Sequence, residues 1–365
     1  MFRLDRSDAA AARRALLRWY RHRARPLPWR QSKDPYKVWV SEVMLQQTQI
    51  ETVIPYYQHF LREFPNAGRL AQAPLERVLE LWSGLGYYRR ARNLHRAAQE
   101  LALQHGGRFP GDLKQARSLP GVGDYTARAV LSIAYHQPFT VLDGNVARVM
   151  ARFLALGGSL PQPRFRRAVE QNLELLLSRR SPGNFNQALM ELGQTICLPR
   201  APQCSACPLR RWCRAYRFHN PADYPQPRPR RQTEECYLAA AALHSSRGIL
   251  LCRGLDDGLL DSLWNFPSAL GPSSREALER LKEKLCSALG ASPALKKPDH
   301  QLRHNITYRS IRVRVYTGEW TGRSPGGGFR WFQPQTIEQA AVSQLARKIA
   351  RKLADGCVEI HQETL

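Results

Sequence analysis

The hydrophobic period of this chain changes once, and that change limits its architecture more than any other feature. From residue 8 to about 218, apolar side chains recur at three- and four-residue spacing, as in Leu75, Val78, Leu79, Leu81, Trp82 and again in Val169, Leu173, Leu176, Leu177. Pro and Gly punctuate the run at Pro65, Pro74, Gly106-Gly107, Pro110-Gly111 and Ser181-Pro182-Gly183. Residues 219–235, HNPADYPQPRPRRQTEE, hold four prolines and many charges, which suits a semi-extended linker. Beyond it the period falls to two. Tyr237–Leu243, Gly248–Cys252 and Ile311–Tyr316 read as strands, the last alternating Ile311, Val313 and Val315 against Arg312 and Arg314. Helical stretches at about 274–289 and 336–353 accompany them. The expectation is a multidomain chain: an all-α domain over 1–218, a linker over 219–235, and a smaller α+β domain over 236–365. At 365 residues both domains can carry substantial cores.

Four of the eight cysteines fall in one run, Cys197-x6-Cys204-x2-Cys207-x5-Cys213. Four thiolates so close in sequence can surround one metal centre, either zinc or a four-iron cluster. Structural zinc sites usually present two short Cys-x2-4-Cys knuckles a dozen or more residues apart. Only Cys204 and Cys207 form such a knuckle, so the spacing favours one 4Fe–4S cluster over zinc, with unliganded thiols as the remaining alternative. Cys236, Cys252, Cys286 and Cys357 stand singly among apolar neighbours and read as buried thiols. Nothing suggests a disulfide scaffold, so a reducing compartment is expected.

The chain carries 55 Lys and Arg against 30 Asp and Glu, a formal net charge of +25. Such a field attracts polyanions, nucleic acid first among them, although a general preference for arginine would also spread positive charge. No uninterrupted apolar run approaches the ~18 residues of a membrane span, so no membrane partner is expected. The first residues lack the apolar core of a signal peptide, carry Asp5 and Asp8, and lead into Leu16, Leu17, Trp19 and Tyr20. They read as the first helix of the folded domain. A cytoplasmic, nucleoid-associated protein is expected.

Candidate chemistry sits in three motifs. Leu119-Pro120-Gly121-Val122-Gly123-Asp124-Tyr125 opens a helix through a Gly-x-Gly turn, echoed by Gly84-Leu85-Gly86-Tyr87. Such turns expose successive N–H groups to an anion. The first has the form of a helix-hairpin-helix that lays amides against a DNA phosphate, with an ordinary helix connection as the alternative. Strand-cleaving enzymes of that hairpin class place a Schiff-base lysine where this chain has Tyr125, and a tyrosine cannot form an imine. In the second motif, Val38 to Thr48, Glu42 has Val38 and Trp39 one turn before it and Leu45 and Gln46 one turn after. A carboxyl so surrounded is desolvated and can serve as a general acid near neutral pH; a solvated surface glutamate is the alternative. The third motif is Leu142-Asp143-Gly144-Asn145-Val146. Asp143 suits a helix N-cap, yet glycosidic cleavage also needs an ionised carboxylate beside an acid.

Together the hairpin, Ser41-Glu42-Val43-Met44-Leu45-Gln46-Gln47-Thr48-Gln49, Leu142-Asp143-Gly144-Asn145-Val146 and the cysteine spacing resemble adenine DNA glycosylases of the MutY type, in the endonuclease III superfamily. The resemblance covers nearly the whole chain. It implies a monofunctional enzyme of base excision repair that removes adenine opposite 8-oxoguanine, and opposite guanine, in double-stranded DNA. It implies that Glu42 protonates N7 of a flipped adenine and then handles water, that Asp143 stabilises the cationic sugar, and that Tyr125 and Asn145 assist. Arg25, Leu27, Trp29, Arg30 and Glu191 would line the base pocket. Gln46, Gln47 and Tyr87 would meet DNA, the last two as wedges, and Gly121, Val122 and Gly123 would grip phosphate. Trp29 and Tyr87 also read as core residues. Cys197, Cys204, Cys207 and Cys213 would hold the 4Fe–4S cluster. The protein is expected to act as a monomer, and the sequence names no repair or clamp partner.

The second domain resembles the Nudix-like module with which these glycosylases inspect 8-oxoguanine. Gly258 to Pro267 is close to the family's Gly-Leu-Trp-Glu-Phe-Pro element, with Asn265 where Glu is usual. No acidic metal box follows in 275–289, so no Nudix hydrolase activity is expected. Ile306, Thr307 and Tyr308 replace the family's Phe-Ser-His in the lesion-reading loop, with Thr307 and Tyr308 as the remaining candidates for lesion contact. Two rivals stand beside this reading. One is an endonuclease III-like glycosylase and AP lyase acting on oxidised pyrimidines; the other is a catalytically silent DNA-binding protein.

Overall fold

The computed structural model describes residues 5–218, 220–226, 233–255, 263–306, 308–322 and 328–362. They form two compact units, Met1–Ala73 with Arg92–Pro229, and Pro74–Ala91 with Arg230–Leu365.

The first unit is helical. Its helices start where polar caps precede apolar runs: Asp34 accepts from the Tyr36 amide at 2.8 Å ahead of helix Pro35–Leu45, and Asp112 caps Leu113–Ser118. Each such cap contributes about 1 kcal/mol. The N-terminal helix Arg6–Arg23 buries Ala9, Ala12, Leu16 and Tyr20 in one core with Val146, Met150, Phe153, Val169, Leu173, Phe185 and Leu189. That core therefore joins helices Gly144–Leu154, Pro163–Leu176 and Pro182–Thr195. Helix Pro182–Thr195 lies so close to the start of Gly144–Leu154 that a Cβ on Gly193 would stand 2.7 Å from the Asn145 Cβ, closer than any side chain allows. The hairpin between Leu113–Ser118 and Asp124–Ala134 turns at Gly121, whose φ of 75° and approach to Asn93 both require glycine. The start of the expected linker is bound into this unit: the Tyr224 carbonyl accepts from Arg152, and the Gln226 amide donates to the Gly158 carbonyl.

The second unit carries a six-stranded sheet of β1 (Glu234–Ser245), β2 (Gly248–Cys252), β3 (Ser268–Gly271), β4 (Pro298–Ile306), β5 (Arg309–Glu319) and β6 (Phe329–Phe332). The order is β4-β5-β1-β2-β6, with β3 also on β1. β1 and β5 run parallel and the other pairs antiparallel. Leu238, Ala240, Ile311, Val313 and Val315 pack on one face with Leu345, Ala346 and Ile349 of helix Gln344–Gln362. Ala239, Ala241, Leu243 and Tyr316 pack on the other with Ala277, Leu281 and Leu285 of helix Ser274–Leu289. Cover on both faces is why β1 is a continuous apolar run instead of an alternating one. The α+β expectation for this region is met. The helix expected over 336–353 is broken, because Val342 bridges to Trp264 and Ser343 begins a new helix by accepting from the Ala346 amide.

Segment 74–91 differs from the expected domain plan. The sequence places it among the helices of 1–218, but helix Leu75–Trp82 packs with the sheet unit. The Glu76 carboxylate accepts from Arg253 at 3.0 Å and from the Trp264 indole at 2.9 Å. Local periodicity carries no information about such distant partners.

Candidate active site and cysteine loop

Within the helical unit a cavity of about 490 Å³ collects most of the expected chemistry: Leu27, Trp29, Arg30, Glu42, Gln46, Gln47, Tyr125, Asp143 and Asn145 all line it. Helix Pro35–Leu45 presents Val38, Ser41, Glu42 and Leu45 to it, the i, i+3, i+4, i+7 stripe of one helical face. Helix Pro182–Thr195 supplies Gln187, Met190 and Gln194 by the same rule. These three were missed, although their spacing in a helical run was a usable signal.

Glu42 is 7% exposed. Burial pushes its carboxyl up to about 7; the hydrogen-bonded Tyr125 hydroxyl and Arg30 pull it down, and Asp143 pushes it up. Burial, with Glu42 and Asp143 nearby, raises the Tyr125 hydroxyl well above its ordinary range, so it stays a phenol. That hydroxyl also faces the Met190 sulfur at 3.4 Å. Asp143 is an N-cap that also lines the cavity. Its Oδ1 accepts from the Val146 amide at 2.7 Å as N-cap of Gly144–Leu154, and its Oδ2 accepts from Asn145 Nδ2 at 3.0 Å. The segment ahead of it is fixed by buried Asn186, which donates to Ser132 Oγ and the Phe139 carbonyl and accepts from the Val141 amide. Gln47 lines the cavity at a φ of 59°, a left-handed conformation that costs about 1–3 kcal/mol outside glycine and tends to cluster at functional sites.

Two expectations need correction. Arg25 and Glu191 do not line the cavity. Glu191 is fully buried, with Arg25 Nε at 2.7 Å from its Oε1 and an Arg30 nitrogen at 2.7 Å from its Oε2. It thus anchors the arginine that does reach the wall. Burial would raise its carboxyl, but the hydrogen bonds from Arg25 and Arg30 outweigh that and hold it below the usual range. Trp29 is both core and wall: it is buried, and packs edge-on against Tyr57 at 5.5 Å. Gly121, Val122 and Gly123 form the hairpin away from the cavity wall, with the Val122 amide donating to the Leu119 carbonyl. Tyr87 and Tyr308 belong to the other unit, where the Tyr308 carbonyl accepts from the Glu234 amide. Thr307 lies outside the described residues, as does 258–262 of the expected Gly258–Pro267 element.

The four cysteines of the 197–213 run line one further cavity, with Arg152, Arg210 and Tyr216 among its walls. Arg152 is 2% exposed and ties the loop down: it donates to the Leu198, Pro199 and Tyr224 carbonyls and faces Cys197 Sγ at 3.4 Å. Among the described residues no three His, Cys, Asp or Glu side chains stand in the arrangement one metal ion takes. Arg148 joins the loop to the acid site, donating to the Cys197 carbonyl at 2.9 Å, to Gly193 at 2.7 Å and to Asn145 Oδ1 at 2.9 Å.

A glycine hairpin, a buried acid, a capped aspartate and a four-cysteine loop within one helical unit define a class. Residues 40–175 match the family described as HhH-GPD superfamily base excision DNA repair protein. The fold agrees with a solved thermostable thymine-DNA glycosylase at 27% identity and a TM-score of 0.54, over 58% of this chain and 98% of that one. The chain belongs to the adenine DNA glycosylases: it is 34% identical to that enzyme of Mus musculus over 96% of this chain and 79% of the relative. It is 42% identical to the adenine DNA glycosylase of Buchnera aphidicola (strain Bp), over 55% of this chain and 57% of the relative.

Proposed function

We propose that this chain, a DNA N-glycosylase by family, excises adenine mispaired with 8-oxoguanine or guanine in double-stranded DNA, without strand cleavage, as a monomer in the cytoplasm. The observation that carries the reading is one cavity holding Glu42, pushed up to about 7, together with Asp143 held by two hydrogen bonds. Near neutral pH a fraction of Glu42 carries the proton that the departing base must receive, at N7 of adenine. Its proton passes to the base while the glycosidic bond lengthens, and Asp143 faces the cationic sugar that forms. Arg30, Gln187, Met190 and Gln194 provide the surrounding wall for a flipped base. After cleavage Glu42, now ionised, accepts a proton from the attacking water. Tyr125 donates to the same carboxylate and offers no amine for an imine, which supports hydrolysis without a lyase step.

Cys197, Cys204, Cys207 and Cys213 are the residues that would hold one 4Fe–4S cluster. All four line one cavity, and four thiolates carried on one short loop, with a single short Cys204–Cys207 knuckle, suit such a cluster. When bound, the cluster supplies a fixed crosslink and electron-transfer capacity; the loop it fixes carries Arg200, Arg210 and Arg211 for phosphate. The sheet unit is assigned the reading of 8-oxoguanine, with Thr307 and Tyr308 as its contacts.

Single-turnover excision on duplexes carrying adenine opposite 8-oxoguanine, guanine, thymine or cytosine tests the assignment. The wild type should act on the first two, and Glu42→Gln should bind them without excising. Near-normal excision by Glu42→Gln would overturn the reading.

A further inference from the structure

Segment Pro74–Ala91 ends in a turn held in an uncommon conformation. Gly84 has a φ of 114°, Gly86 of 71° and Tyr87 of 50°. A tyrosine in left-handed backbone is strained, and the Tyr87 ring, 52% exposed, recovers little by burial. The turn persists because its surroundings over-determine it. Arg90, 9% exposed, lies 5.3 Å from the Tyr87 ring centroid and 5.5 Å from that of Trp82. The same guanidinium donates to the Leu85 carbonyl at 3.3 Å and the Gly86 carbonyl at 3.1 Å, while the Arg90 amide donates to the Tyr87 carbonyl at 2.8 Å. The Trp82 indole adds a second donor to Gly86, at 3.2 Å.

The base of the turn is braced from the C-terminal part of the same unit. Ser83 Oγ at 2.9 Å and the Tyr88 hydroxyl at 3.3 Å both donate to the Val342 carbonyl. Gln344 Nε2 donates to the Gly84 carbonyl at 2.6 Å. An exposed aromatic ring, backed by a planar cation and fixed from two directions, has the makings of a stacking platform. In a chain of net charge +25 its fitting ligand is a nucleic-acid base.

We propose that Arg90 is a positioning residue that presents the Tyr87 ring to a base of bound DNA, with Val342 and Gln344 bracing the turn. The inference rests on the reading of the chain as a DNA glycosylase. It assigns to the sheet unit, besides lesion reading, the holding of an element that opens the duplex. Lysine cannot replace Arg90, because an ammonium has no plane to lay against the Tyr87 and Trp82 rings.

A double-mutant cycle on the full chain tests this, read by the fluorescence of 2-aminopurine at the mispaired site of a duplex. Tyr87→Ala should lower unstacking roughly tenfold. Arg90→Lys should lower it several-fold alone, yet by less than twofold in the Tyr87→Ala background. Gln344→Ala, at an exposed position, should give a smaller loss that also vanishes without the Tyr87 ring. If Arg90→Lys fails to fold, the Gln344 cycle decides. Additive losses, or an unaffected Arg90→Lys variant, overturn the proposal, as does a wild type that unstacks nothing. A wild type that unstacks the base without excising adenine would contradict the enzymatic reading alone.

Discussion

Glu42 and Glu191 are both buried carboxylates of the helical unit, and their surroundings drive them in opposite directions. Glu42 has one hydrogen-bonded phenol and the weaker pull of Arg30; burial wins, and its carboxyl rises to about 7. Glu191 has two guanidinium groups in direct contact; their hydrogen bonds win, and its carboxyl falls. The lesson is that burial alone does not make an acid catalyst. What distinguishes the two is how many cations are spent on each, and Arg30 touches both accounts through its contact with Glu191 and its field at Glu42.

That contrast can be broken by experiment. The largest effect is expected on catalysis: Glu42→Gln should lower single-turnover excision by at least the roughly 10²–10⁴-fold of a lost general acid, with folding stability unchanged or improved. Glu191→Ala should act first on stability. Leaving two arginines without their buried partner costs about 3–5 kcal/mol, measurable as a lower denaturant midpoint; a midpoint equal to wild type would mean the clamp is not structural.

The pH dependences should separate as well. Glu42 has a folded value above its unfolded one, so its protonated form favours the fold below the unfolded value. That contribution is lost as pH rises through about 7, and excision should fall over the same range. Glu191 has a folded value below its unfolded one. Its contribution is present above the ordinary carboxylate range and lost as pH falls through the folded value. A flat rate profile between pH 6 and 8, with chemistry rate-limiting, would remove the general-acid role from Glu42. The smallest expected effect is at the shared residue. Arg30→Gln removes a charge that lowers Glu42, so the alkaline limb of the rate profile should move up by a fraction of a unit. A downward movement would mean that Arg30 acts chiefly through the shape of the wall.

Much of this site was legible in the chain. Glu42 stood out because Val38, Trp39 and Leu45 surround it at helical spacing, and local spacing is what a sequence records directly. Tyr125 was placed by the hairpin before it, and the cysteines by their separation. The clamp on Glu191 was hidden, since Arg25 and Arg30 lie more than 160 positions away and meet it only through packing. Segment 74–91 was misplaced for the same reason: its amphipathic period is correct for either unit, and only Glu76, Ser83 and Tyr88 disclose which. For Asp143 the cap reading is met, and the second carboxylate oxygen is held by Asn145.

That division of Asp143 has a kinetic meaning. One oxygen is fastened to the helix backbone and the other to Asn145, so the side chain surrenders its rotation once, when the chain folds. On the proposed mechanism no search for the right rotamer would recur at each turnover, and the carboxylate would be aimed before the sugar became a cation.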